Sequence, residues 1–188
     1  NLNNLLVTKR LPEDIFTGIN AGKTRHRGVE LLWKQQIFQN LNFPGNLHMN
    51  ANYTFSQNRF IDFTDDNKTY DGNLLPGIPS HLFHTTLVWN PLKQLVLNVR
   101  FQYTGEQLID DANTVTNDAY FLSDGKVSYL FKTTRLGNVE LYAGMNNITD
   151  TLYSPMLNVN AVAFGNAEPR YYYPGLPRHY YCGVSWSF

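Results

Sequence analysis

The sequence predicts an all-β protein, an antiparallel transmembrane β-barrel, and three observations lead there. Segment after segment alternates apolar and polar side chains with period two, as a strand with two unlike faces requires. The connections between those segments alternate short and long along the chain. Finally, no run approaches the ~18 consecutive apolar residues that a spanning helix needs, although the 188 residues are 43% hydrophobic and 14% aromatic. A mean hydropathy of -0.35 resembles that of a water-soluble protein. In a membrane strand, however, lipid-facing and lumen-facing residues cancel in any average.

A first strand is expected through residues 5–9. The next lies in 29–37, where Val29, Leu31, Trp33 and Ile37 oppose Glu30, Lys34 and Gln36, with Leu32 and Gln35 out of pattern. In 47–56, Leu47, Met49, Ala51, Tyr53 and Phe55 take one face and His48, Asn50, Asn52, Thr54 and Ser56 the other. Residues 81–90 are more uniformly apolar, and a strand is expected there too. In 94–104, Leu95, Leu97, Val99, Phe101 and Tyr103 oppose a face that is polar except at Val96. Val127, Tyr129 and Phe131 oppose Lys126, Ser128 and Leu130, and Val139, Leu141, Ala143 and Met145 oppose Glu140, Tyr142, Gly144 and Asn146. The last segment sets Tyr180, Cys182, Val184, Trp186 and Phe188 against Tyr181, Gly183, Ser185 and Ser187.

Connections 38–46, 90–93 and 132–136 are short. Those at 10–27, 57–80, 105–118 and 149–177 are long and rich in Gly, Pro, Asn and Asp, and read as too polar for burial. Outer-membrane barrels are laid out this way, with short turns at the periplasmic end and long loops outside the cell. Soluble β-sandwiches also alternate connection lengths and remain an alternative on this feature alone. Trp33, Tyr53, Trp89, Tyr103, Tyr129 and Trp186, near segment ends, suit interfacial girdles. Core packing would explain them equally.

Fifteen basic residues balance fifteen acidic ones, which argues against a polyanion-binding surface and so against nucleic acid as a partner. The single cysteine, Cys182, has no internal partner for a disulfide. The chain opens without an initiator Met or an apolar leader, and is read as a fragment of a longer exported protein.

The closing strand is similar to those of outer-membrane barrels, whose final pattern is read by the barrel-assembly machinery; its places are held here by Tyr181, Gly183, Trp186 and Phe188. More specific stretches follow one another along the chain: residues 20–32, with Gly28 and Val29 entering a strand; 52–56, Asn-Tyr-Thr-Phe-Ser; 75–81, Leu-Pro-Gly-Ile-Pro-Ser-His; 103–106, Tyr-Thr-Gly-Glu; 146–153, Asn-Asn-Ile-Thr-Asp-Thr-Leu-Tyr; and 174–188. In this order they resemble the C-terminal part of TonB-dependent outer-membrane receptors. The resemblance implies that residues 1–188 form about the last eight strands of a 22-stranded plugged barrel, with the plug domain and the TonB-contacting segment elsewhere in the parent chain. It implies an outer-membrane location with the C-terminus periplasmic, and TonB-coupled uptake of a scarce solute, foremost a ferric siderophore. Implied partners are outer-membrane lipid, the N-terminal plug, the TonB complex, the assembly machinery and the solute. No cofactor is implied. A small closed eight-stranded barrel, an outer-membrane hydrolase and a passive porin-like or adhesive barrel are the alternatives.

The polar face, with His48, Asn50, Asn52, Arg100, Gln102, Lys126 and Glu140, reads as a hydrated wall able to hydrogen-bond a plug or a solute. In the last long loop, Phe164, Arg170, Tyr171, Tyr172, Tyr173 and Arg178 form an aromatic and basic cluster that can hold an anionic or aryl chelate by stacking and charge-assisted bonds. Interface anchoring is the plainer reading of each. Asp62, Asp65, Asp66, Asp71, Asp110 and Asp111 could offer oxygen ligands to a divalent cation, although solvated loop carboxylates explain them as well. His81 and His84, three apart on a strand, face opposite sides and make no metal pair. No G-x-S-x-G, H-E-x-x-H or phosphate-binding glycine loop is present, so no enzyme activity is expected.

Overall fold

The structure is a computed structural model and describes all residues except 4–5, 11–14, 21, 40–44, 66, 134–136, 164 and 188. Every regular element among them is a strand: β1 (Leu2–Asn3), β2 (Leu6–Arg10), β3 (Phe16–Asn20), β4 (Lys23–Gln39), β5 (Asn46–Asp62), β6 (Thr64–Asp65), β7 (Lys68–Thr69), β8 (His81–Asn90), β9 (Leu95–Thr104), β10 (Gln107–Leu108), β11 (Thr116–Asn117), β12 (Tyr120–Thr133), β13 (Gly137–Asn146), β14 (Met156–Leu157), β15 (Tyr172–Tyr173) and β16 (His179–Ser187). Eight of them form one sheet in the order β1-β4-β5-β8-β9-β12-β13-β16, each antiparallel to its neighbours. Each long connection folds its own two-stranded ribbon: β2–β3, β6–β7, β10–β11 and β14–β15. A meander of this kind puts all four ribbons at one end of the sheet and the short turns at the other.

The strand expected through 5–9 is present as β2, but it pairs with β3 in a loop ribbon instead of lining the wall. The wall position next to β4 is taken by β1, through Leu2↔Thr24 and Asn3↔Lys23. Loops 10–27 and 57–80 also begin further out than composition suggested. Strands β4 and β5 are 17 residues each, against the ~9–11 that cross a bilayer. At about 3.3 Å per residue their hairpin stands roughly 20 Å proud of such a span. Backbone pairing tolerates polar side chains on both faces in water, so polar composition alone does not end a ribbon.

Register makes the two faces continuous. Leu31↔Tyr53↔Phe83↔Tyr103↔Phe121 runs across five strands on one face, and Tyr129↔Leu141↔Val184 continues that face to β16. The reverse carries Asn52↔His84↔Gln102 and Asn50↔Thr86↔Arg100↔Asp124. His81 pairs with Phe55 and His84 with Asn52, so the two histidines do lie on opposite faces. On the apolar face the band is nine positions tall at 47–55, 81–89 and 95–103, the height of a membrane strand. Aromatics mark both of its limits. Tyr53, His81, Phe83, Tyr103 and Phe121 lie toward the ribbons, where the Tyr53 hydroxyl and His81 Nδ1 are 2.8 Å apart. Trp89, Trp186 and Phe131 lie toward the turns.

The packed core is in the loops and not in the wall. Phe60, Phe63 and Leu75 are buried and cluster with Tyr70, with Phe60 and Phe63 stacked at 4.6 Å between ring centroids. Ile109 is fully buried. These apolar residues lie in or beside loops that composition marked as too polar to bury. They come in ones and twos within segments rich in Asn, Asp and Gly, without periodicity along the sequence, so only the folded loops bring Phe60, Phe63 and Leu75 together.

Candidate ligand-facing wall and loop crown

The polar face carries a recess of about 320 Å³ lined by Thr86, Asn98, Arg100, Asp124, Lys126, Asn146 and Tyr181. Cross-strand pairing makes this inevitable: Thr86 opposes Arg100, which opposes Asp124, while Asn98 opposes Lys126. Arg100 Nε and Nη2 both donate to one Asp124 oxygen, at 2.9 and 2.7 Å. The other Asp124 oxygen accepts the backbone N–H of Asn147 at 2.9 Å. The pair is partly hydrated, so it orients the wall more than it stabilises it. Lys126 Nζ lies 4.4 Å above the Tyr142 ring centre, a cation–π contact that leaves the ammonium facing the recess.

Tyr142 opposes Gly183 and Tyr181 opposes Gly144. A Cβ at either glycine would run into the ring of the opposing tyrosine. Each ring therefore lies flat over its cross-strand glycine, a pairing that covers bare backbone and pins register. This accounts physically for two members of the terminal pattern, Tyr181 and Gly183. Trp186 pairs with Val139 on the apolar face; Phe188 lies outside the described residues.

Above the recess three loops are joined by asparagine side chains. Asn113 Oδ1 accepts from Leu74 N at 2.8 Å and its Nδ2 donates to Leu74 O at 2.9 Å. Asn73 donates to Asp111 O at 2.8 Å. Asn160 accepts from Asp111 N at 3.0 Å and donates to the Asp111 carboxylate at 2.9 Å. Burial, followed by the charges of Asp65 and Asp110, raises the Asp111 carboxyl above its ordinary value against the lowering effect of Asn160. Asn147, 3% exposed and at φ 50, closes the base of the last loop. Its Oδ1 accepts Thr151 N at 2.9 Å, and its Nδ2 donates to Thr151 O at 2.9 Å and Leu176 O at 3.2 Å. Sequence reasoning gave none of these asparagines a loop-joining role, and Asn147 entered only as part of the 146–153 stretch. Their signal is chemical: Asn tolerates the left-handed region and can imitate a backbone pair, and Asn67, Asn113, Asn147 and Asn160 all have positive φ.

The loop cluster expected to hold a chelate is brought together only in part. Tyr172 and Tyr173 form β15, paired with β14. Tyr171 and Tyr172 meet edge to face at 6.2 Å, and burial raises the Tyr171 hydroxyl above its ordinary value, assisted by the Asp110 charge. The Tyr172 hydroxyl donates to Thr116 O at 2.7 Å, borders a cleft of about 360 Å³ shared with Asn117, Tyr120, Tyr153 and Ser154, and so makes Tyr120 and Tyr153 neighbours that sequence did not indicate. Arg170 is exposed, and its carbonyl accepts from Asn158 at 3.3 Å. Arg178 is engaged at the loop base: its N–H and Nη2 donate to Asp150 at 2.8 and 3.3 Å, holding that carboxyl below its ordinary range. Phe164 lies outside the described residues.

Three of the acidic candidates, Asp71, Asp110 and Asp111, bond the loops themselves. Asp71 accepts Phe63 N at 2.8 Å, and Asp110 accepts Thr114 N and Val115 N at 2.7 and 2.9 Å. Among the described residues no group of three metal-ligating side chains converges. Asp66 lies outside them. Histidine side chains bond Thr24, Asn58, Tyr53, Asn146 and the Pro177 carbonyl.

Residues 1–148 match the family described as TonB dependent receptor-like, beta-barrel. The ferrichrome outer membrane transporter/phage receptor of Escherichia coli strain K12 is 28% identical over 155 residues, which is 80% of this chain and 19% of that protein. Among solved structures, the ferric preacinetobactin receptor BauA of Acinetobacter baumannii superposes with a TM-score of 0.69 at 20% identity, covering 95% of this chain and 25% of that one. The siderophore receptor PiuA of the same organism gives 0.66 at 19% identity, with 94% and 23% covered. The chain thus spans a fifth to a quarter of the length of these relatives. A nine-position apolar band, a polar reverse face, ribbons gathered at one end and a family match over most of the residues lead to one assignment: this chain belongs to the TonB-dependent receptor-like β-barrel family, a family of outer-membrane receptors and not of enzymes.

Proposed function

We propose that the parent protein takes up a ferric siderophore across the outer membrane by TonB-coupled active transport, and that this chain is the C-terminal part of its barrel domain. The observation carrying the reading is the polar wall beneath a tyrosine-lined loop crown. Arg100, Lys126, Tyr142 and Tyr181 provide donors and rings to a hydrated interior, and Tyr120, Tyr153 and Tyr172 border the cleft above it. An anionic aryl or hydroxamate chelate is bound by those groups through stacking and charge-assisted bonds. Arg170, Tyr171, Tyr172 and Tyr173 extend the surface, and Arg178 anchors it through Asp150. The relatives support the choice of cargo, since one carries ferrichrome and another ferric preacinetobactin.

In this reading the long loops are extracellular, the short turns and the C-terminus periplasmic, and the remaining strands of a 22-stranded barrel, the plug and the TonB-contacting segment belong to the rest of the parent. Tyr181, Gly183, Trp186 and Phe188 present the assembly signal to the barrel-assembly machinery. The test is uptake of ⁵⁵Fe-loaded siderophores by iron-starved cells with and without the parent gene, each with and without TonB. Uptake of at least one ferric chelate that requires both genes is expected. Uptake indifferent to the parent gene across hydroxamate, catecholate and citrate chelates refutes the cargo, and uptake independent of TonB refutes the coupling.

A further inference from the structure

Beyond cargo transport, the geometry points to a second binding site, on the outside of the barrel: Arg25, Arg27 and Arg59 form a seat for the phosphate groups of outer-leaflet glycolipid. The leaflet named rests on the loop orientation proposed above. The site itself rests on register.

Val29↔Phe55 and Leu31↔Tyr53 belong to the lipid-facing band. Two and four positions further toward the ribbons, the same face carries Arg27↔Gln57 and Arg25↔Arg59. The opposite parity is fixed independently. Thr24 and Phe60, paired with each other, are buried at 0% and 2% exposure, and Phe60 joins the loop core with Phe63 and Leu75. Core and cations therefore lie on opposite sides of the same hairpin. The three arginines stand just above the apolar band and its girdle of Tyr53, His81 and Phe83, at the height of a headgroup layer.

Arg25 and Arg59 face each other directly, an arrangement that is unfavourable in a ribbon unless something neutralises it. Among the described residues no carboxylate forms an ion pair with Arg25, Arg27 or Arg59. Arg59 Nη1 donates to the Gly72 carbonyl at 2.5 Å, which fixes its guanidinium and leaves the rest of the donor fork without a partner among the described residues. Paired guanidinium groups bind phosphate bidentately, and a phosphorylated lipid also supplies acyl chains for Phe55 and Val29 just below. Charge and apolar surface at adjacent heights select a lipid over a free anion.

The experiment uses the full-length receptor purified in detergent. The wild type, the triple variant R25Q/R27Q/R59Q and the charge-keeping R25K/R27K/R59K are compared for co-purified phosphorylated glycolipid and for thermal stabilisation by two probes, vesicles containing that glycolipid and inorganic phosphate alone. Retained lipid should fall about tenfold in the Gln variant and far less in the Lys variant. Only vesicles should stabilise the wild type, and all three proteins should remain heat-modifiable. If the triple Gln variant does not fold, R27Q alone is read, with a severalfold loss expected. Equal lipid retention in wild type and Gln variants overturns the site, and stabilisation by inorganic phosphate equal to that by vesicles overturns the lipid assignment. An epitope at Asn166 reports orientation separately: if it is hidden on intact cells the leaflet and the transport reading fall together, whereas failed siderophore uptake with lipid retention intact leaves the site standing.

Discussion

Replacing Asn147 with Ala should release the base of the last long loop while leaving the barrel assembled. The side chain makes three hydrogen bonds, two with Thr151 and one with Leu176 O. At roughly 1 kcal/mol net for each, their loss costs about 3 kcal/mol. Asn147 also holds φ 50, where Ala is disfavoured by about 1 kcal/mol relative to a residue suited to that region. The total is about 4 kcal/mol of local stability, close to a thousandfold in the opening equilibrium. Asn147→Gly loses the bonds but not the conformation, and should sit about 1 kcal/mol above Ala. Hydrogen exchange on the full-length receptor reads this at amides that the Asn147 side chain does not itself bond: Ile148 N, held by Ser123 O; Gly175 N, held by Tyr153 O; and Arg178 N, held by Asp150. Exchange there should accelerate sharply in the Ala variant, less in Gly, with amides of the long wall strands unchanged. Unaltered protection at those three amides would show that Asn147 does not hold the loop, and equal exchange in Ala and Gly would remove the backbone part of the argument.

Three further outcomes follow from the same geometry. Ala51, at the centre of the lipid-facing run 47–55, pairs with Trp33 and Thr85, whereas Asn52 pairs with Leu32 and His84 on the reverse; Ala51→Arg should cost about 2–4 kcal/mol of barrel stability and Asn52→Arg little, read as yield of heat-modifiable protein, and equal yields would mean the register is off by one. Asp150, with its folded value lowered by Arg178, contributes stability above its unfolded value that is lost as pH falls through the folded one, while Asp111, with its value raised by burial, favours the loops at low pH and loses that contribution as pH rises through its folded value. A spin label at Asn166 should therefore become more mobile below the ordinary carboxylate range in the wild type but not in Asp150→Asn, and Asp111→Asn should tighten the loops at neutral pH. The Tyr142 ring over Gly183 predicts coupling: Gly183→Ala should be better tolerated in a Tyr142→Ala background than in the wild type by about 0.5–3 kcal/mol, measured by urea unfolding of the refolded receptor, and strict additivity would show that the ring does not occupy that space.

The wall was legible because its physics is periodic. A strand with lipid on one side and water on the other must alternate, so 47–56, 94–104 and 139–146 announce both their structure and their facing. Residues 81–90 announce them less clearly, since Leu82 and Val88 put apolar side chains on the lumen face and blur the alternation. Loop structure left no such trace. What builds the crown is Asn113 imitating a backbone partner for Leu74, and Phe60 and Phe63 meeting Leu75 from a separate segment; both depend on contacts distant in sequence. The tyrosine cluster illustrates the same limit, for proximity in sequence placed Arg178 beside Tyr173, whereas the fold commits Arg178 to Asp150.

The crown's bonding also constrains how a ligand could be enclosed. To move the loop 105–119 by itself, the protein must break Asn73 to Asp111, both Asn113 bonds to Leu74, Gly77 N to Leu108 O, and both bonds between Asp111 and Asn160. At roughly 1 kcal/mol each, independent motion is costly on the scale of a typical binding energy. The same holds for 57–80 and 147–178, which share those bonds from the other side. The three loops therefore move as one body or stay fixed. The wall beneath them adds to this, because Asp124 on β12 holds both Arg100 on β9 and the Asn147 amide at the loop base. Within this chain, a loop movement that encloses a ligand must then come from the β2–β3 ribbon, which shares none of those bonds, or tilt the three joined loops together on the tall β4–β5 hairpin that flanks them.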